Sequence, residues 1–362
     1  MSNDAAKPTQ SPCEVLFMPW ADLGTPLRIG PFQFVPWSSL SVVDSGIRDY
    51  LDTYFGRHVD HFGRVVDSVA ILLHDSHDFT PSAYRPYEQP RDAADALIFS
   101  TIAPQVVAAM RANDQSLAPP TANRYQLVKQ NFWPGDEDVA VRVGDSVHAG
   151  RIERITFPVP WGVGGSFALP DEDMAGALGE LLTSTAPSDL RVRMFRALEW
   201  FRVAHTVGDG TSDFSKVAMM ATAFEILLQF PRGRKRWFFV NKIESLLRRP
   251  ETMTTTVNDP QGQPCTVGRP AEWASDFYRL RNRVVHGDEL QSADLRFDGW
   301  ITHLIVADVV FWQCVASELY QRDFLGRSIS TMKADPLQAI LAEPLENQLL
   351  GFEAHTTLKW KP

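Results

Sequence analysis

The hydrophobic pattern of the chain changes period between Ser184 and Asp189, and no single layer of secondary structure accommodates both halves. Before that point the apolar residues come in short runs broken by Gly and Pro. Residues 15–18, 32–35, 69–73, 125–132, 139–143 and 152–159 read as strands, and 47–55 and 93–102 as helices. Beyond it, Leu190, Met194, Leu198 and Phe201 recur at helical spacing. The intervening Ser-Thr-Ala-Pro-Ser-Asp is small, polar and proline-containing, and Ser188 or Asp189 is placed to cap the helix that follows. The expectation is an α+β N-terminal domain over residues 1–183, an all-α helical bundle over 184–328 and a tail over 329–362.

Within the first half, Gly-Asp-Ser-Val-His-Ala-Gly at 144–150 reads as the connection of a hairpin between the runs 139–143 and 152–159. In the second half, helices are expected over 214–228, 237–247, 273–286 and 300–320, the first of them apolar on nearly every face and so central in the bundle. Residues 250–270, with four prolines and many Thr, Gly and Gln, read as a long loop. Residues 336–350 read as a short helix in the tail.

The chain has 362 residues, 44% of them hydrophobic, which is too many to leave unburied in a disordered protein. The most apolar segment, 301–315, is interrupted by His303, Asp308 and Gln313, so no membrane span is expected. A formal charge of −9 argues against a non-specific nucleic-acid coat, although it leaves room for a local basic patch. Cys13, Cys265 and Cys314 are odd in number and far apart, which excludes a disulfide framework and a four-thiolate zinc site. The first residues carry no basic segment followed by an apolar one, so no secretory signal is read and a cytoplasmic location is expected.

The segment richest in chemistry is Tyr278-Arg-Leu-Arg-Asn-Arg-Val-Val-His-Gly287. Gly287 suits the left-handed conformation that closes a helix, which places His286 in the last turn, where the helix dipole favours a cation. Asn282 and His286 are four residues apart and share a face. Arg281 lies about 140° from His286 around an ideal helix, so it must reach round or the last turn must deform for both to meet one ligand. An imidazole moves protons near neutral pH, and a guanidinium holds a phosphate with two hydrogen bonds.

This string resembles the Arg-x(4–6)-His motif of HEPN domains, and Tyr-x-x-Arg-Asn-x-x-x-His-Gly resembles their Apea-like branch. Ala197-Leu-Glu-Trp-Phe201 and Ala223-Phe-Glu-Ile-Leu-Leu228 resemble that branch's first two helices, so the likeness covers roughly residues 191–321. The resemblance implies an all-α HEPN-like bundle that forms a homodimer with two motifs in one cleft. It implies a metal-independent endoribonuclease that needs no cofactor and leaves a 2′,3′-cyclic phosphate. It further implies a role in phage defence or as a regulated toxin, with an unknown trigger acting on the N-terminal domain. Arg281, Asn282 and His286 are the expected catalytic set. Arg279, seven residues before His286, also fits the spacing and is kept as an RNA contact together with Arg283. The competing reading is a non-catalytic HEPN scaffold for dimerisation and RNA binding, in which His286 caps its helix and Arg281 pairs with an acid such as Glu225.

From Arg232 to Arg249 seven basic residues face one acid, Glu244, and Arg232, Arg234, Lys235 and Arg236 are the expected RNA-binding cluster. Glu225, on an apolar helix, is expected to support the site as a buried, satisfied carboxylate, and Asp308 is read as structural. His58, His61, His74 and His77 form two His-x-x-His pairs that read as surface residues, so no metal site is expected. Gly162-Val-Gly-Gly165 lacks the spacing of a nucleotide loop, and Asp136-Glu-Asp138 and Asp171-Glu-Asp173 read as solvated turns.

Overall fold

The computed structural model describes residues 13–40, 45–59, 69–74, 88–111, 121–132, 139–143, 146–150, 155–156, 169–184, 189–207, 211–247, 254–299 and 301–325. The chain divides into two units, Met1–Ile102 with Pro119–Pro187, and Ala103–Ala118 with Ser188–Pro362. The expected tail helix at 336–350 lies outside the described residues, as do Gly162–Gly165 and Asp136–Asp138.

In chain order the first unit contributes β1 (Cys13–Met18), β2 (Leu27–Ile29), β3 (Phe32–Pro36), α1 (Ser45–Gly56), β4 (His58–Val59), β5 (Ala70–His74) and α2 (Glu88–Arg111), the last counted here as far as Ile102. It continues with β6 (Val128–Phe132), β7 (Val139–Val143), β8 (Ser146–Gly150), β9 (Ile155–Thr156) and α3 (Glu172–Thr183). Five strands form an antiparallel sheet in the order β2-β3-β5-β1-β6, with Phe17 opposite Ile71 and Phe34 opposite Leu72. Val15 and Phe17 alternate onto the face covered by α1, where Phe17 meets Tyr54 and Phe55 edge-on. The first unit is therefore α+β.

Three expectations for this unit need correction. Asp171-Glu-Asp173 is the start of α3 and not a loop. Asp171 accepts the Met174 amide at 2.9 Å as an N-cap, and Glu172 and Asp173 sit at the positive end of the helix dipole. The hairpin runs between β7 and β8, with Val143 opposite Ser146, so only Gly144 and Asp145 separate the strands. The two glycines flanking that stretch disguised a strand as a connection. Ile155 and Thr156 instead pair in parallel with His58 and Val59.

The second unit contributes α4 (Asp189–Ala204), α5 (Asp213–Leu227), α6 (Lys235–Leu247), β10 (Thr254–Asn258), β11 (Pro264–Gly268), α7 (Arg269–His286), β12 (Arg296–Phe297), β13 (Ile301–Thr302) and α8 (His303–Tyr320). It is mostly helical. α5 packs on α4, α7 and α8, and Phe224 at its core meets Phe239, Phe277 and Phe311 at centroid distances of 4.9, 6.2 and 5.2 Å. The helix enclosed on every side is α8, buried continuously from Val306 to Leu319. Its buried Glu318 is paired: Arg193 of α4 donates to it at 2.5 Å and also to the Leu227 carbonyl.

The expected loop at 250–270 contains a hairpin. β10 and β11 pair antiparallel with Thr256 opposite Thr266, and the turn is closed by Asp259, whose carboxylate accepts the Gln261 and Gln263 amides at 2.9 and 2.7 Å. β-branched Thr and Val supply the strand propensity that the surrounding prolines concealed.

Candidate active site

The string at 278–287 forms the last turns of α7. Gly287 is left-handed at φ 76°; its amide donates to Val284 and the Asp288 amide to Arg283, which closes the helix in a Schellman turn. The last turn is regular. It leaves His286 exposed, with no side-chain hydrogen bond or ion pair to any described residue.

Arg281 turns the other way. Its Nη2 lies 3.2 Å from Glu225 Oε1, its Nη1 donates to Asn282 Oδ1 at 3.3 Å, and its guanidinium sits 5.4 Å from the Tyr278 ring centroid. Arg281 and His286 thus end on different sides of the same turn, as their angular separation requires. No side-chain hydrogen bond joins the imidazole of His286 to Arg281 or Asn282 among the described residues.

Glu225, in the last turn of α5, is where the cluster converges. It is 14% exposed and receives Tyr278 Oη at 2.5 Å, Arg281, and Lys235 at the start of α6. Burial, then the hydrogen bond and charge of Glu225, push the Tyr278 hydroxyl well above its ordinary range, so it remains a donor. Tyr278 is three residues before Arg281 and shares its face; that spacing was legible, although the hydroxyl's partner was not.

The remaining basic residues divide by what they touch. Arg283 donates to Asp294 Oδ1 at 2.7 Å and to the Glu289 carbonyl at 2.9 Å, which ties down the loop after α7. Arg279 pairs with Asp276. Partial burial raises the Asp276 carboxyl, but His303 and Arg279 outweigh it and hold the carboxyl below its usual range. Arg236 reaches the Asn258 carbonyl at 3.4 Å. The Arg232 and Arg234 side chains are exposed and make no hydrogen bond or ion pair to any described residue, although the Arg234 carbonyl accepts the Phe238 amide at 3.0 Å. Arg234 holds a left-handed φ of 54° just before α6, a conformation that disfavours residues with a Cβ.

Of the histidine pairs, His61 and His77 lie outside the described residues, and His74 packs edge-on against Phe32. Among the described residues no three His, Cys, Asp or Glu side chains gather as a metal site, and no helix is long and apolar enough to cross a membrane. Compared with family models, curated proteins and solved structures, the chain matches none of them.

Proposed function

We propose that the second unit is a HEPN-type endoribonuclease, with His286 as its proton-transfer group and Arg281 and Asn282 as its phosphate-holding pair. The observation that carries this reading is the convergence at Glu225. Through that carboxylate the basic turn at Lys235 and the motif at Arg281, 46 residues apart, occupy one end of the bundle. Exposed cationic side chains, a guanidinium and an unengaged imidazole there suit a polyanionic substrate.

In this reading the RNA 2′-hydroxyl loses its proton to an imidazole and attacks the adjacent phosphorus. The bond to the 5′-oxygen breaks, that oxygen takes a proton, and a 2′,3′-cyclic phosphate remains. Arg281 offsets the charge that gathers on the non-bridging oxygens. One chain supplies one His286, so the second proton-transfer group comes from a second copy, and the site is composite in a homodimer. The first unit regulates this activity.

One observation favours the scaffold reading. The Arg281 guanidinium is already held by Glu225, as a structural arginine would be. Sequencing RNA ends from cells expressing wild type or His286→Ala separates the two. Ends bearing a cyclic phosphate that vanish in His286→Ala support the nuclease. Identical RNA profiles from both folded proteins assign the unit to scaffolding. The purified enzyme is expected to keep its activity in EDTA.

A further inference from the structure

The hairpin of β10 and β11 has two unlike faces. Thr255, Val257, Cys265 and Val267 point inward, where Val257 and Val267 pack with Trp237, Val240 and Ala271 of α6 and α7. The Thr255 hydroxyl donates to Glu272 of α7 at 3.2 Å. The hairpin is therefore fixed to the helices that carry the basic turn and the motif. Its outer face presents Thr254, Thr256, Asn258, Pro264 and Thr266, all exposed. Alternation along each strand places them on one side.

That outer face is polar and uncharged. The only acid between Thr254 and Gly268 is Asp259, and two backbone amides of the turn occupy its carboxylate. The face is bordered by cations, since Arg236 reaches the Asn258 carbonyl at 3.4 Å and the exposed Arg232 and Arg234 precede it in the same turn. Hydroxyls and amides without competing charge, beside a row of arginines, form a surface on which phosphates and bases are held separately. Guanidinium groups take the backbone; Thr and Asn meet base edges and 2′-hydroxyls.

We infer that the outer face of this hairpin is a docking surface for single-stranded RNA, which approaches the motif across Thr256 and Thr266 with its phosphates on Arg232, Arg234 and Arg236. The inference rests on the RNA-cleaving reading and names the part of the unit that selects the strand. Charge complementarity chooses the occupant, because the bordering cations repel a basic partner and the face is too polar for an apolar one.

The test uses the full chain carrying His286→Ala, so that the RNA stays intact. The probe is a fluorescein-labelled single-stranded RNA about 20 nucleotides long, followed by anisotropy. Thr256→Glu and Thr266→Glu, made separately, are expected to weaken binding roughly tenfold each, and Thr256→Lys to strengthen it roughly threefold. Opposite effects of the two charges at Thr256 distinguish contact with a polyanion from damage to the hairpin, which weakens binding in every variant. Unchanged affinity in all three variants, while Arg234→Ala still loses affinity, overturns the docking surface and leaves the nuclease reading standing. Loss of self-association in the glutamate variants at constant RNA affinity also overturns it, assigning the face to a second copy of the chain. Charge-dependent binding by a protein that never cuts RNA upholds the surface and removes the nuclease. A protein that binds no RNA removes both.

Discussion

His286 is exposed at a helix end, so His286→Ala is expected to change stability by less than about 1 kcal/mol while lowering cleavage roughly 10²–10⁴-fold. Parallel unfolding curves and initial rates check this. Arg281→Lys tests the guanidinium itself. An ammonium preserves the charge opposite Glu225 but cannot contact Glu225 and Asn282 with a planar fork. Cleavage is expected to fall about 10²-fold with the fold retained; near-normal rates for this variant contradict a phosphate-holding role. Arg234→Gly separates strain from function. Relief of the left-handed φ is expected to hold stability constant or raise it by about 1 kcal/mol, while RNA affinity falls. An Arg234→Gly protein that is more stable and binds RNA as before shows that the side chain contacts nothing.

At the level of elements, the end of α4 is joined to α8 by a buried histidine–carboxylate pair, its histidine the residue that follows α4. His205 Nε2 lies 3.0 Å from Asp308 Oδ1, and its Nδ1 lies 2.8 Å from the Phe201 carbonyl. Burial lowers the pKa of His205 and Lys216 opposes its charge, but the Asp308 carboxylate and the Phe201 carbonyl prevail and raise it above the ordinary value. A raised folded pKa means that the stabilisation is complete below the unfolded histidine range and is lost as pH rises through the folded value. Between about pH 6 and pH 9, wild type is expected to lose more resistance to urea than His205→Gln. Equal losses in the two proteins are the contrary result. Elsewhere, α3 lies against β2 because Gly179 has no side chain. A Cβ there meets the Gly30 nitrogen at 2.4 Å, closer than a Cβ packs against a non-bonded atom. Gly179→Ala forces the helix off the strand and is expected to cost about 1–3 kcal/mol, read from the denaturation midpoint.

For the whole molecule the expected state is a homodimer, since each chain brings one His286 and the proposed reaction moves two protons. Light scattering is expected to give the mass of two chains. Excess His286→Ala protein mixed with wild type is expected to lower the activity of the wild-type chains, because a mixed dimer holds only one His286. A strict monomer that cuts RNA at full rate refutes the composite site.

Local rules carried much of the chain. The change of period near Ser184 separated an α+β part from a mostly helical one, because burial on a sheet and on a helix demand different spacings. Gly287 marked the end of α7, because the left-handed closure is a property of one residue and its neighbours. The tertiary structure decided what depends on distant residues. Asp294 had no local signal as the partner of Arg283, and the meeting of Lys235, Tyr278 and Arg281 at Glu225 depends on how three helices pack. The hairpin at 254–268 was concealed because Pro260 and Pro264, with the Gln and Gly between them, read as a loop, whereas a strand gains its stability from a partner across the sheet and from the apolar face beneath it. Spacing along a helix showed that Arg281 and His286 diverge; only the packing of α5 and α6 against α7 decided that the arginine turns inward to a carboxylate and the histidine outward to solvent.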